Sequence, residues 1–162
     1  MSLNSFPLLS YAGAPTNGTD EVQNIAITGT PTGGSFTLDL DGEVTAAIAY
    51  NASALTVQNA LQALSNVAAG DVECDGGALP GTSVNVRFHR LLGSRNVTAL
   101  VAVSSLTGGI APAITITTST AGVRGTHRGA QAGAYLQDTT NGIIYSNSGD
   151  QYRPVWSEFE VS

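Results

Sequence analysis

Cys74, His89 and His127 are the residues of this 162-residue chain whose types could support nucleophilic chemistry. A thiol beside an imidazole makes a nucleophile and its base. Cys74, however, stands between Glu73 and Asp75. Two adjacent carboxylates raise a thiol pKa and oppose formation of the thiolate. Strand alternation also turns Cys74 away from both acids, so it is expected to face inward and stay inert. A Cys/His metal site would need paired ligand spacings, and the sequence has none. Among the carboxylates, Asp20 adjoins Glu21, Asp39 lies two residues before Asp41, and Glu158 two before Glu160. Asp39 and Asp41 share a strand face just before Gly42, an arrangement a hard cation such as Ca²⁺ could use. The EF-hand spacing is missing, and a solvated strand end at a hairpin is the expected reading. The glycines at 122, 125, 129 and 133 follow neither the phosphate-loop nor the dinucleotide pattern. The expectation is a protein that is not an enzyme, with no catalytic residue, no metal and no cofactor.

The balance of charge narrows the partners. Six basic residues, all Arg, face twelve acidic ones, for a net charge of −6. Charged residues make up 11% of the chain, against ~25% in ordinary soluble domains. Six scattered Arg do not make the footprint that phosphate backbones require, so no nucleic acid partner is expected. Apolar residues at 42% argue for a folded chain. No stretch approaches the ~18 apolar residues of a membrane span, and no secretory signal opens the sequence. A protein made in a cytoplasm and independent of disulfides is expected, since Cys74 has no second cysteine to pair with.

Four segments must position whatever function exists. Residues 1–21 read as an N-terminal arm, with apolar Phe6, Leu8, Leu9 and Tyr11 before a turn-rich stretch. Its tip can dock on its own chain or on a neighbouring subunit. Residues 22–121 read as a strand-rich body. Residues 35–40 and 84–88 alternate apolar and polar with period two, and Asp41-Gly42 is a hairpin turn signal leading to a return strand over 43–50. The nearly continuous apolar run 97–103 predicts a central strand. One amphipathic helix is predicted over about 53–66, with Leu55, Val57, Ala60, Leu61 and Leu64 on its apolar side. Residues 122–133 form a Gly-rich joint that gathers Arg124, His127 and Arg128. It serves as a flexible linker or as a contact for an acidic partner surface. Residues 134–162 read as an aromatic hairpin segment turning on Asn141-Gly142. The fold class is therefore α+β, mainly β: antiparallel strands, one helix and a C-terminal β-hairpin.

Two stretches carry a resemblance. EVQNIAITGTPTGGSFTL at 21–38, with IAYNAS at 48–53 and VQNAL at 57–61, resembles a domain recurring in virion proteins of tailed phages. GAYLQDTTNGIIYSNSG at 133–149, closing on Pro154-Val155-Trp156, is similar to C-terminal hairpins of phage head-decoration and fibre-like proteins. The resemblance implies a capsid decoration (cement) protein on the exterior of the phage head, bound to the major capsid protein. It further implies a homo-oligomer, a trimer being favoured, and stabilisation of the shell through protein–protein contacts. Phe6, Leu8, Leu9 and Tyr11 would then dock on the shell. Tyr135, Tyr145, Tyr152 and Trp156 would pack between subunits, with Arg124 and Arg128 as electrostatic contacts. A tail-fibre or carbohydrate-binding adhesion module, presenting aromatics near Trp156, is the alternative.

Overall fold

The computed structural model describes residues 8–127 and 129–159. Alternation settles the first long strands. In β2 (Val22–Thr28) the side chains of Gln23, Ile25 and Ile27 face inward, and in β3 (Gly33–Leu40) those of Phe36, Leu38 and Leu40 do. Asp41 and Gly42 follow at φ 53° and 88°, the left-handed pair a type I′ turn demands. Asp39 steadies that turn, its Oδ1 accepting from the Gly42 N–H at 2.9 Å. The return strand is broken into β4 (Glu43–Val44) and β5 (Ile48–Ala49). Thr45 causes the break: its Oγ1 accepts from the Leu38 N–H, and its own N–H donates to the Leu38 carbonyl.

The helix is shorter than its sequence suggests. Helix α1 (Ala54–Gln62) starts at Ser53, whose Oγ accepts from the Thr56 N–H at 3.2 Å. It stops at Ala63 instead of reaching 66. Leu64 is buried as expected and so is Val67, both in turns closed by N–H bonds to residues three back. Asn66, beyond the helix end, donates its amide to the Leu40 carbonyl at the end of β3. Leu55 is a second correction, since it projects into solvent at 62% exposure.

Four further strands of the body follow among the described residues, β6 (Val72–Gly76), β7 (Val84–Phe88), β8 (Val101–Thr107) and β9 (Ala113–Thr120). One antiparallel sheet has the order β6-β7-β2-β9. In the other, β3 is central, with β8 on one side and β4 and β5 on the other. Both sheets and α1 feed one core, built on Ile25, Phe36, Leu38, Val57, Leu61, Val84 and Phe88.

The predicted strand over 97–103 is the largest departure. Ordered pairing begins only at Val101, and β8 is an edge strand, with Val101 and Val103 59% and 62% exposed. Residues 97–100 are held by side chains instead of a ladder. Glu21 Oε2 accepts from the Val97 N–H (2.9 Å), and Gln23 Oε1 from the Leu100 N–H (2.8 Å). Gln23 Nε2 then donates to Glu21 Oε1 at 2.7 Å and to the Thr98 carbonyl at 3.2 Å.

A third sheet joins the two ends of the described chain. Strand β1 (Leu9–Tyr11) runs parallel to β10 (Tyr135–Asp138), which pairs with β11 (Ile144–Asn147) and through it with β12 (Trp156–Glu158). The Asn-Gly hairpin forms as predicted, closed by the Gly142 N–H on the Asp138 carbonyl. Asp138 is itself buried, and its carboxylate accepts from the N–H groups of Gly13, Thr140 and Asn141 and from the Asn141 amide.

Burial pushes the Asp138 carboxyl up, but the bonds from the Asn141 side chain and from the Thr140, Gly13 and Asn141 backbone hold it below its ordinary value. A folded-state pKa below the unfolded one stabilises the protein above the unfolded value. That stabilisation is lost as pH falls through the folded value. Melting curves between about pH 5 and pH 2 should therefore show a steeper acid loss for the wild type than for Asp138→Asn. Parallel acid profiles for the two proteins would refute this.

Candidate functional site

The cavity with the densest chemistry lies where β6, α1 and the residues after β7 meet the loop 150–153. It encloses about 400 Å³ and is lined by Asp20, Gln58, Gln62, Glu73, His89, Arg90, Asp150, Tyr152 and Arg153, among others. His89 sits at its centre as the middle of a carboxylate–imidazole–carboxylate chain. Its Nδ1 lies 3.0 Å from Asp20 Oδ2 and its Nε2 lies 2.9 Å from Glu73 Oε2. Asp20 is buried, and its Oδ1 accepts from the Ser94 N–H at 2.9 Å. Arg153 approaches the same carboxylate at 3.9 Å.

Each piece has a local reason to be there. Pairing of β6 with β7 in the register Val72↔Phe88 and Glu73↔Arg87 brings Glu73 beside the end of β7, where His89 follows. The His89 N–H bonds the Asp71 carbonyl at 2.7 Å, fixing the backbone that carries the ring. Asp150 Oδ1 accepts from the N–H groups of Tyr152 and Arg153 at 2.8 Å each, a tight turn that presents both side chains to the cavity. The Arg90 guanidinium stacks over the Tyr152 ring at 5.6 Å.

A general base needs a ring nitrogen free to face its substrate. Here carboxylates lie within hydrogen-bond distance of both nitrogens of His89. Among the described residues, the cavity wall includes no Ser, Thr or Cys. Cys74, one residue from Glu73, is partly buried, and burial pushes its thiol up to about 12, with Asp75 and then Glu73 adding to the shift. The contacts that join the loop 150–153 to this cluster are Arg153 at 3.9 Å from Asp20 and the Tyr152 ring under the Arg90 guanidinium. Among the described residues, no group of three or more His, Cys, Asp or Glu side chains is placed to hold a metal ion.

The residues singled out in the sequence are distributed differently. Phe6 and Arg128 lie outside the described residues. Leu8 and Tyr11 are exposed, Leu9 is half-buried opposite Leu136, and Tyr11 meets the His127 ring edge-on at 5.7 Å. Arg124 is exposed beside Tyr152, Leu91 and Gln151 around a second, shallower cavity. Tyr135 stands edge-on to Phe159 at 5.1 Å on the outside of the third sheet, and Tyr145 is half-buried within it. Trp156 is buried, its Nε1–H donating to the Thr126 carbonyl and its backbone N–H to Asn17 Oδ1. That ring serves the chain's own interior and offers no platform at the surface. The structure thus unites Tyr152 with the His89 cavity, and Leu9 and Tyr11 with the C-terminal strands. The Asp20–His89–Glu73 chain escapes sequence reasoning, because Asp20 reaches His89 only through the tertiary fold.

No family model matches the sequence. Over 138 residues, 85% of this chain, it is 38% identical to a tail sheath protein of Mycobacterium phage Bxz1. This chain is similar to part of a phage tail protein. It spans 22% of that relative's length. A solved structure from Mycobacterium phage Patience overlaps 90% of this chain and 59% of its own, at 18% identity and a TM-score of 0.44. The sequence similarity supports a phage structural protein; it does not extend to head decoration.

Proposed function

We propose that this chain is a structural module of a tailed-phage virion, working on the outer surface of the particle through protein–protein contacts. The observation that carries this reading is the 38% identity to a tail sheath protein across most of the chain. The physical chemistry agrees with it. With 11% charged residues, the surface has few charges to desolvate when neighbours cover it. Exposed Leu8, Tyr11, Tyr135 and Phe159 project from the third sheet as apolar and aromatic anchors of the kind interfaces favour. His89, held on both sides, contributes cohesion in place of turnover.

The tail is the first location to test, because the relative is a tail protein. Capsid decoration, with the major capsid protein as partner, is the second, favoured by the similarity of residues 133–149 to head-decoration hairpins. A glycan-binding module is disfavoured by the burial of Trp156. Quantitative mass spectrometry on separated heads and tails of purified virions tests the reading. The chain is expected in many copies in one fraction, stoichiometric with the sheath or with the shell. Its absence from purified virions would overturn the proposal.

A further inference from the structure

An asparagine followed by glycine loses its side-chain amide readily, because a residue without Cβ lets its backbone nitrogen reach the preceding side chain. The chain has two such pairs, Asn17-Gly18 and Asn141-Gly142. The fold treats them differently. Asn17 Oδ1 accepts from the Trp156 N–H at 2.7 Å, and the Gly18 N–H donates to the Pro154 carbonyl. A Cβ at Gly18 would run into the Ser94 side chain, so the backbone there has little room to turn. The Trp156 partner is 139 residues away, and freeing Asn17 means parting β12 from the segment before β2.

Asn141 and Gly142 stand exposed at the tip of the β10–β11 hairpin, with nothing within 4 Å of where a Gly142 Cβ would sit. Their bonds are local. The Gly142 N–H donates to the Asp138 carbonyl, and the Asn141 amide donates to Asp138 Oδ2 at 2.8 Å. Fraying of one hairpin tip releases both. Asp138 also holds the N-terminal strand: its Oδ1 accepts from the Gly13 N–H at 2.9 Å, two residues past β1. Beside it the Thr139 N–H donates to the Tyr11 carbonyl.

We propose that Asn141 is a deamidation site and that its conversion loosens strand β1 through Asp138. The Gly142 backbone nitrogen attacks Asn141 Cγ, forming an N–Cγ bond as the Cγ–Nδ2 bond breaks. The Gly142 amide proton passes through water to the departing nitrogen, which leaves as ammonia. Water then opens the cyclic imide at either carbonyl, giving aspartate or, with the main chain rerouted through the side chain, isoaspartate. Either product replaces a hydrogen-bond donor to Asp138 with a carboxylate. That like charge opposes the buried carboxylate on which the Gly13 and Thr140 N–H groups depend. The site belongs to the third sheet alone and does not depend on the module's place in the particle.

Storage of the full chain for days in mildly alkaline buffer, followed by peptide mapping with mass spectrometry, tests this. Asn141 should convert to a mixture of aspartate and isoaspartate at least about tenfold faster than Asn17, since freeing it breaks only local bonds. Hydrogen exchange in the aged protein should then rise by about tenfold or more at Gly13 and Thr140. The Leu100 N–H, held by Gln23 in the body, should keep its protection. Asn141→Asp carries the charge alone and should reproduce the faster exchange in fresh protein, with circular dichroism confirming a folded body. An Asn141 that survives storage, or conversion at Asn17 as fast as at Asn141, would overturn the proposal. So would unchanged exchange at Gly13 in both the aged protein and Asn141→Asp.

Discussion

Gln23→Leu is expected to lower stability by roughly 3–5 kcal/mol, the sum of three orphaned polar groups at ~1–3 kcal/mol each, partly offset by relaxation. Gln23 is fully buried, and its amide satisfies the Leu100 N–H, the Thr98 carbonyl and Glu21 Oε1 together. Leucine fills the volume but leaves all three without partners, one of them a buried carboxylate oxygen. For a chain of this length, that loss corresponds to a fall in Tm of about 6–20 °C. Thermal melts followed by circular dichroism measure it, and urea titration gives the free energy. A change below about 1 kcal/mol would mean that residues 97–100 are not held by this network. Gln23→Glu should also destabilise, because it sets a second carboxyl against Glu21.

Asn147→Ala should detach the third sheet while leaving the body folded. Asn147 uses its whole side-chain bonding capacity. Its Oδ1 accepts from the Gly149 and Val155 N–H groups, and its Nδ2 donates to the Ala130 and Gln131 carbonyls. These four bonds tie the joint after 129 to both ends of the segment leading into β12. Apolar burial cannot compensate, since Leu136 and Trp156 are the buried apolar side chains there and neither belongs to the main core. At ~1 kcal/mol net per bond, the local cost is about 2–4 kcal/mol. Hydrogen exchange should show protection lost in β10–β12 and kept in β2, β3 and β7. Uniform loss across both regions would refute a separable third sheet.

The legible parts of this molecule are those encoded by local geometry. Alternation at 35–40 and 84–88 needs only the period of a strand, and the turns at Asp41-Gly42 and Gly142 need only the tolerance of those residues for positive φ. The run 97–103 misleads because its apolar composition matches a central strand. Its Val97 and Leu100 N–H groups, however, go to Glu21 and Gln23, 76 and 77 residues away. No local rule identifies a side chain that replaces a neighbouring strand. The helix end at Ala63 fails for a related reason, since Asn66 has a tertiary acceptor at Leu40. His89 is visible in the sequence as a titratable residue, yet its flanking Phe88 and Arg90 say nothing of Asp20. That contact exists only once the loop after β7 folds back over the start of β2.

The pairing of β1 with β10 sets an order of events at the ribosome. Gly13 and its acceptor Asp138 stand 125 residues apart, so at ~5–20 residues per second the partner emerges roughly 6–25 s after the first strand. The β2–β3 hairpin, α1 and the β6–β7 pair can mature within that interval, while Leu9-Ser10-Tyr11 still has no strand to join. The strands that follow the body therefore fasten the one that precedes it, and the third sheet is a late closure around a body already made.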